Sequence, residues 1–150
     1  ERGGGDAVLV PFGGSEHDWA AVELGARIAR AWGATLRLLG AAAVPEAGKR
    51  DASRLVSNAS LVVQRALGVT VEPALAPPGE QGVVEASASA GLLVVGLSTR
   101  WHEEGLGAAR LGLAMRAASP VLFVRRGVRA GGLASRTRLT HFTWSVRATR

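Results

Sequence analysis

The residues able to do chemistry are few and do not assemble into a catalytic set. His17, His102 and His141 are the only imidazoles. None stands at metal-ligand spacing from another histidine or from a carboxylate in a recognisable pattern. With no cysteine there is no thiol nucleophile, disulfide framework or cysteine-ligated metal. Ser15 follows Gly13-Gly14 at a strand-to-helix turn, as a nucleophile elbow would. Position 17 is His, however, so the G-x-S-x-G frame is missing and helix capping accounts for Ser15. Glu103-Glu104 is a carboxylate pair that reads as loop solvation. A receiver-type phosphorylation site needs clustered acids after the first strand and a lysine after the last. Gly13-Gly14 and Arg125-Arg126 occupy those places, and Lys49 is the only lysine. Asn58-Ala59-Ser60 forms a glycosylation sequon only in name, since it falls inside a predicted helix. These residues predict a protein that is not an enzyme and holds no metal.

Binding chemistry is better represented. Gly105, Gly107 and Ala108 open a predicted helix, whose free N–H groups attract anions. Arg100 and Arg110 stand close enough in sequence to supplement them. The same glycines would serve a tight loop-to-helix junction, so both readings stand. Trp101-His102 offers rings for stacking on a base or for contact with a partner. Gly105-Leu106-Gly107-Ala108-Ala109-Arg110 lacks the third glycine of a dinucleotide fingerprint and does not directly follow a strand.

The elements that must position these residues alternate regularly. Ala7–Pro11, Thr35–Ala43, Val69–Ala76, Leu92–Gly96 and Val121–Val124 are short apolar runs predicted as strands. Between them lie predicted helices. The first is capped by Ser15 with Asp18 three residues on, runs to Trp32 and stops at Gly33. The others span Asp51 to Leu67, Glu80 to Ala88 and Gly107 to Ala117. Residues 97–106 read as a polar loop. Apolar strands alternating with amphipathic helices predict a parallel α/β sheet with helices on both faces. Ligands of such sheets bind beyond the carboxyl ends of the strands. That expectation gathers Phe12–Ser15, Ala41–Pro45 and Gly96–Gly107 around one crevice.

Val8-Leu9-Val10-Pro11-Phe12-Gly13-Gly14-Ser15-Glu16-His17 resembles the opening of universal stress protein domains. So does Val94-Val95-Gly96 with a loop, a Gly-led helix and Ala118-Ser119-Pro120-Val121-Leu122-Phe123-Val124. The resemblance covers about residues 7–126. It implies a five-stranded parallel sheet in the order 3-2-1-4-5, of universal-stress or adenine-nucleotide-hydrolase type, often dimerised through the last strand. It also implies ATP or another adenine nucleotide as ligand, at positions matching Gly13, Gly14, Ala41, Gly96, Ser98, Thr99, Arg100, Gly105, Gly107 and Ala108. Three of those positions depart from the family pattern. The acid that meets adenine or ribose after the first strand is matched by Gly13. In the G-x-x-G phosphate loop, Thr99 replaces the second glycine. The closing Gly-Ser or Gly-Thr pair is Gly107-Ala108, two positions early and without its hydroxyl. The expectation is therefore a degraded nucleotide site.

A shorter resemblance involves Gly131-Gly132-Leu133-Ala134 and Phe142-Thr143-Trp144-Ser145, which are similar to the cytoplasmic ends of some bacterial cation/proton antiporters that append a universal-stress-like domain. It implies a regulatory tail on the cytoplasmic side of an inner membrane. Glu1-Arg2-Gly3-Gly4-Gly5 reads as a linker, giving the division 1–6 linker, 7–126 domain and 127–150 basic tail.

Length and charge fit this division. The 150 residues are 47% hydrophobic, enough for one domain that buries about 70% of the surface of its unfolded chain. The net charge of +6 is unevenly placed. Residues 1–104 hold nine basic residues and all twelve acids, whereas residues 105–150 hold nine arginines and no acid. A basic end on a mildly acidic body predicts contact with a membrane domain or anionic lipid and does not call for nucleic acid.

Overall fold

A computed structural model describes residues 7–48, 50–128 and 132–133. The expectations for the 1–6 linker, His141, the aromatic pair Phe142 and Trp144, and most of the basic tail lie outside the described residues. Among the described residues five strands are joined by helices, two of them between the last pair of strands: β1 (Ala7–Pro11), α1 (Glu16–Trp32), β2 (Thr35–Ala41), α2 (Ser53–Leu67), β3 (Val71–Ala76), α3 (Glu80–Ser87), β4 (Leu92–Leu97), α4 (Trp101–Glu104), α5 (Gly107–Arg116) and β5 (Val121–Arg125). A 3-10 turn at Pro45–Ala47 interrupts the β2–α2 connection.

The strands pair in parallel in the order β3-β2-β1-β4-β5, as the resemblance implied. Strand parity divides the core. Val8, Val10, Leu36, Leu38 and Val94 point to one face and bury against the stripes of α1 and α2, including Val22, Ala26, Val56 and Val63. Leu9, Leu39, Leu93 and Val95 point to the other, where Leu113 of α5 and the partly buried Val83 and Val84 of α3 meet them. A strand covered on both faces has no polar side, which is why these segments read as continuous apolar runs.

Local signals explain the first helix. Ser15 Oγ accepts from the Asp18 N–H at 3.2 Å, while Asp18 Oδ2 accepts from the Ser15 N–H. This reciprocal capping box satisfies two donors that a helix start leaves open. At the other end Gly33 takes the left-handed conformation (φ 64°) that closes the helix.

Several boundaries differ from expectation: β4 and β5 run one residue longer, to Leu97 and Arg125, and α3 and α5 end one residue earlier, at Ser87 and Arg116. β2 ends at Ala41 and β3 begins at Val71, because their register runs from Leu36↔Val71 to Ala41↔Ala76 and leaves 42–43 and 69–70 outside the ladder. The helix expected from Asp51 begins at Ser53: Asp51 sits before it and accepts from the Ser53 N–H (3.0 Å) and hydroxyl. The expected polar loop 97–106 contains the short helix α4, closed by bonds from the Glu104 N–H to Arg100 O (2.9 Å) and the Gly105 N–H to Trp101 O (2.8 Å).

Candidate functional site

Three successive backbones come together at the carboxyl edge of the sheet. The Phe12 N–H donates to Leu39 O at 2.8 Å, tying the end of β1 to β2. The Ala42 N–H donates to Ala76 O at 2.8 Å, tying β2 to β3. The Ala52 N–H donates to Ala41 O at 2.9 Å and pins the start of α2 beside them. Gly40 makes this approach feasible: a β-carbon there would lie 2.8 Å from Ala52 Cβ and 3.0 Å from Val56 Cγ1. The chain after β3 rises as Pro77-Pro78-Gly79 and forms the facing wall.

The space enclosed is a cleft of about 550 Å³, within the range of about 300–1,000 Å³ usual for small-molecule sites. Phe12, Leu39, Leu55, Ala76, Pro77 and Val83 give it apolar walls, and Asp18, Arg50 and Asp51 are its charged members. Phe12 is fixed from behind by Trp19, edge to face with ring centroids 4.9 Å apart.

Asp18 is more than a cap. Its Oδ2 also accepts from the Gly13 N–H at 2.8 Å, and lies 3.3 Å from where a β-carbon on Gly13 would stand. A carboxylate from the first turn of α1 thus reaches the neighbourhood of position 13, where the sequence has no acid of its own. Oδ1 lies 3.8 Å from His17 Nε2. Across the cleft, Asp51 is held by Ser53, whose hydroxyl first and backbone N–H second hold its carboxyl below the usual carboxylate range.

Of the residues singled out from the sequence, Gly13 and Ala41 line the cleft. Gly14 stands beside it in the left-handed region (φ 88°). Gly96, Ser98, Thr99, Arg100, Gly105, Gly107 and Ala108 do not line this cleft, so of the crevice expected at 12–15, 41–45 and 96–107 only the β1 and β2 parts border it. The physical reason is the seat of α1. A β-carbon on Gly96 would lie 2.3 Å from the His17 carbonyl oxygen, so the first turn of α1 rests directly on the end of β4 and fills that space.

The two arginines expected to support an anion are engaged elsewhere. Arg110 Nε donates to Gly96 O at 2.9 Å, locking α5 to β4. Arg100 pairs with Glu104 at 2.8 Å and with Glu103 at 3.9 Å, which gives the Glu103-Glu104 pair a partner beyond solvent. Ser98 Oγ accepts from the Arg100 N–H at 3.2 Å. The Trp101 and His102 rings lie against each other, centroids 3.9 Å apart, and Arg125 reaches His102 Nε2 at 3.4 Å. Gly105 and Gly107 have positive φ (68° and 77°), the conformation a tight entry to α5 needs. That helix has no side-chain cap and no acid in its first turn.

Sequence reasoning missed Arg50 and Asp51 as cleft residues and gave Asp18 only its capping role. The Ser-x-x-Asp spacing exposed the cap, but nothing local shows that α2 starts against β2. A second groove, about 250 Å³, lies between α1 and the end of β5. Arg126 pairs with Glu16 there, and the Leu133 N–H donates to Glu23 Oε1 at 2.7 Å. Among the described residues no three His, Asp or Glu side chains gather as a metal site, and no helix is long and apolar enough to cross a membrane.

No protein-family model matches the chain, and no curated protein matches it. Solved structures do. A universal stress protein in complex with cAMP is similar with a TM-score of 0.66 and 26% identity, over 81% of this chain and 97% of that one. A universal stress protein from Archaeoglobus fulgidus in complex with dAMP gives 0.60 and 19%, over 78% and 94%. A universal stress protein family protein from Arabidopsis thaliana with AMP bound gives 0.59 and 19%, over 81% and 92%. The chain therefore has the universal stress protein fold, and these neighbours support the family that the end motifs resemble.

Proposed function

We propose that the chain is a non-catalytic regulatory domain of universal stress type that binds an adenine nucleotide in the cleft at the ends of β1, β2 and β3. The observation that carries this reading is the cleft itself: apolar walls wide enough for a base, with Asp18 on its lining, whose Oδ2 is held by the Gly13 and Ser15 N–H groups and whose Oδ1 we assign to ligand hydroxyl or amino groups. The neighbours in complex with cAMP, AMP and dAMP support the ligand class. The departures at Thr99 and Gly107-Ala108 fall in the phosphate loop, which we read as degraded; the departure at Gly13 falls in the nucleoside half, where Asp18 Oδ2, 3.3 Å from where a β-carbon on Gly13 would stand, supplies a carboxylate in place of the missing acid. Titration calorimetry with adenosine, AMP, cAMP and ATP tests this: micromolar binding of at least the nucleoside monophosphates is expected, with no magnesium-dependent turnover of ATP. No heat from any of the four contradicts it.

The alternative is a stand-alone ATP- or AMP-binding universal stress protein. The basic end of the chain favours instead a regulatory tail on the cytoplasmic side of a cation/proton antiporter, near anionic lipid or a membrane domain. That context is checked in the parent gene, which should encode apolar membrane helices upstream of Glu1. A start codon immediately before Glu1 would end it. Dimerisation through β5, whose outer edge has no strand beside it among the described residues, completes the reading.

A further inference from the structure

We infer, resting on the adenine-nucleotide reading above, that the chain beyond β5 regulates the cleft: its seating on α1 holds Trp19, and Trp19 holds the Phe12 wall against which the ligand packs. Two points of this segment reach α1. Arg126 pairs with Glu16, and the Leu133 N–H donates to Glu23 Oε1 at 2.7 Å. The Leu133 side chain packs, partly buried, against the core cluster that contains Trp19, Val22 and Ala26. Glu16 stands three residues before Trp19 and Glu23 four after it, so helical spacing puts all three on one face of α1. Glu16, Trp19, Glu23 and Arg126 line one groove, the space of about 250 Å³ between α1 and the end of β5.

One aromatic pair joins this groove to the ligand cleft. Trp19 lines the groove, Phe12 lines the cleft, and their rings meet edge to face with centroids 4.9 Å apart. A buried ring keeps its rotamer only while its neighbours fill the space around it. Phe12 has the open cleft on one side, so the support it takes from Trp19 decides where that wall stands. Asp18, the carboxylate of the cleft, is next to Trp19 in the same helical turn. The hold on the segment is light. The Arg126–Glu16 pair is one-third and one-half exposed, and exposed pairs add little to stability. Its end therefore leaves α1 at far lower cost than unfolding the domain. A seat that opens easily and backs the wall of a binding site is an element both sites bias. Unseating lowers the affinity for the ligand, and by the same factor the ligand tightens the seat.

The test is titration calorimetry of the full chain with AMP, run beside amide hydrogen exchange at Leu133. The double variant Arg126→Gln, Leu133→Asp removes the ion pair and the apolar anchor and sets a like charge beside Glu23. It should weaken AMP about fivefold, the lower end of the usual coupling between sites. Arg65→Gln, which removes an equal charge from an exposed position on α2, should leave AMP unchanged. Trp19→Phe should weaken AMP as well, and adding the two substitutions to it should then cost little more, because the relay is already broken. In the wild type, saturating AMP should slow exchange of the Leu133 amide by about the same fivefold. Equal AMP affinity in the wild type and the double variant, both folded by circular dichroism, overturns this inference alone. So do losses that add in full with Trp19→Phe, and so does a Leu133 amide whose exchange ignores AMP, a result that needs no variant to fold. No heat from AMP in the wild type removes the nucleotide reading and this inference with it.

Discussion

Asp18 has two tasks, and its sequence position reveals only one. The spacing Ser15-x-x-Asp18 is a readable capping signature. The bond from the Gly13 N–H to Asp18 Oδ2 depends on how the turn Phe12-Gly13-Gly14 folds back, which the spacing does not encode. Ser15→Ala should cost about 1 kcal/mol, the usual value of an N-cap, measured by urea unfolding, and leave ligand affinity nearly intact. Asp18→Ala should lose both stability and affinity. Asp51 makes a pH-dependent contribution to stability. Its folded-state pKa lies below the ordinary value because Ser53 donates to the carboxylate. The stabilisation is therefore present above the unfolded pKa of about 3.9 and is lost as pH falls through the lower folded value. The Ser53 amide shift should titrate with a midpoint below that of an unperturbed aspartate, and Asp51→Asn should abolish the titration. A midpoint at or above the ordinary value would contradict this account.

At the scale of elements, two close approaches determine where a ligand fits. Gly96 admits the first turn of α1 onto β4, and Gly40 admits the start of α2 onto β2. Gly96→Ala should destabilise by about 1–3 kcal/mol, the cost of overpacking, because the obstructing atom is a backbone carbonyl. Unfolding midpoints indistinguishable from wild type would show that α1 can move away. The strands and four longer helices were legible because their apolar periodicity and glycine stops are local. α4 was not, since one turn of helix in a polar stretch has no periodicity to read. Nor was the position of the cleft. The rule that ligands sit beyond strand ends points to the edge of the sheet where the cleft lies, and the seating of α1 on β4 leaves that cleft on the side of β2 and β3.

For the whole molecule, the resemblance at both ends implied the strand order β3-β2-β1-β4-β5 that the fold adopts. The charge arithmetic identified the basic end but could not pair its residues. Arg126 spends its charge on Glu16, so part of the excess is internal to the fold. Sedimentation equilibrium should find a dimer at micromolar concentration, and a monomer under those conditions would remove the proposed role of β5. The central claim is that the cleft at the ends of β1 to β3, and not the 97–108 loop, receives an adenine nucleotide. The most direct measurement is an amide-shift titration of the full chain with AMP. The account predicts saturable shifts at Gly13, Ala41, Ala52 and Gly79, with Ser98 to Ala108 little changed; shifts centred on Gly105–Ala108, or none anywhere, would contradict it.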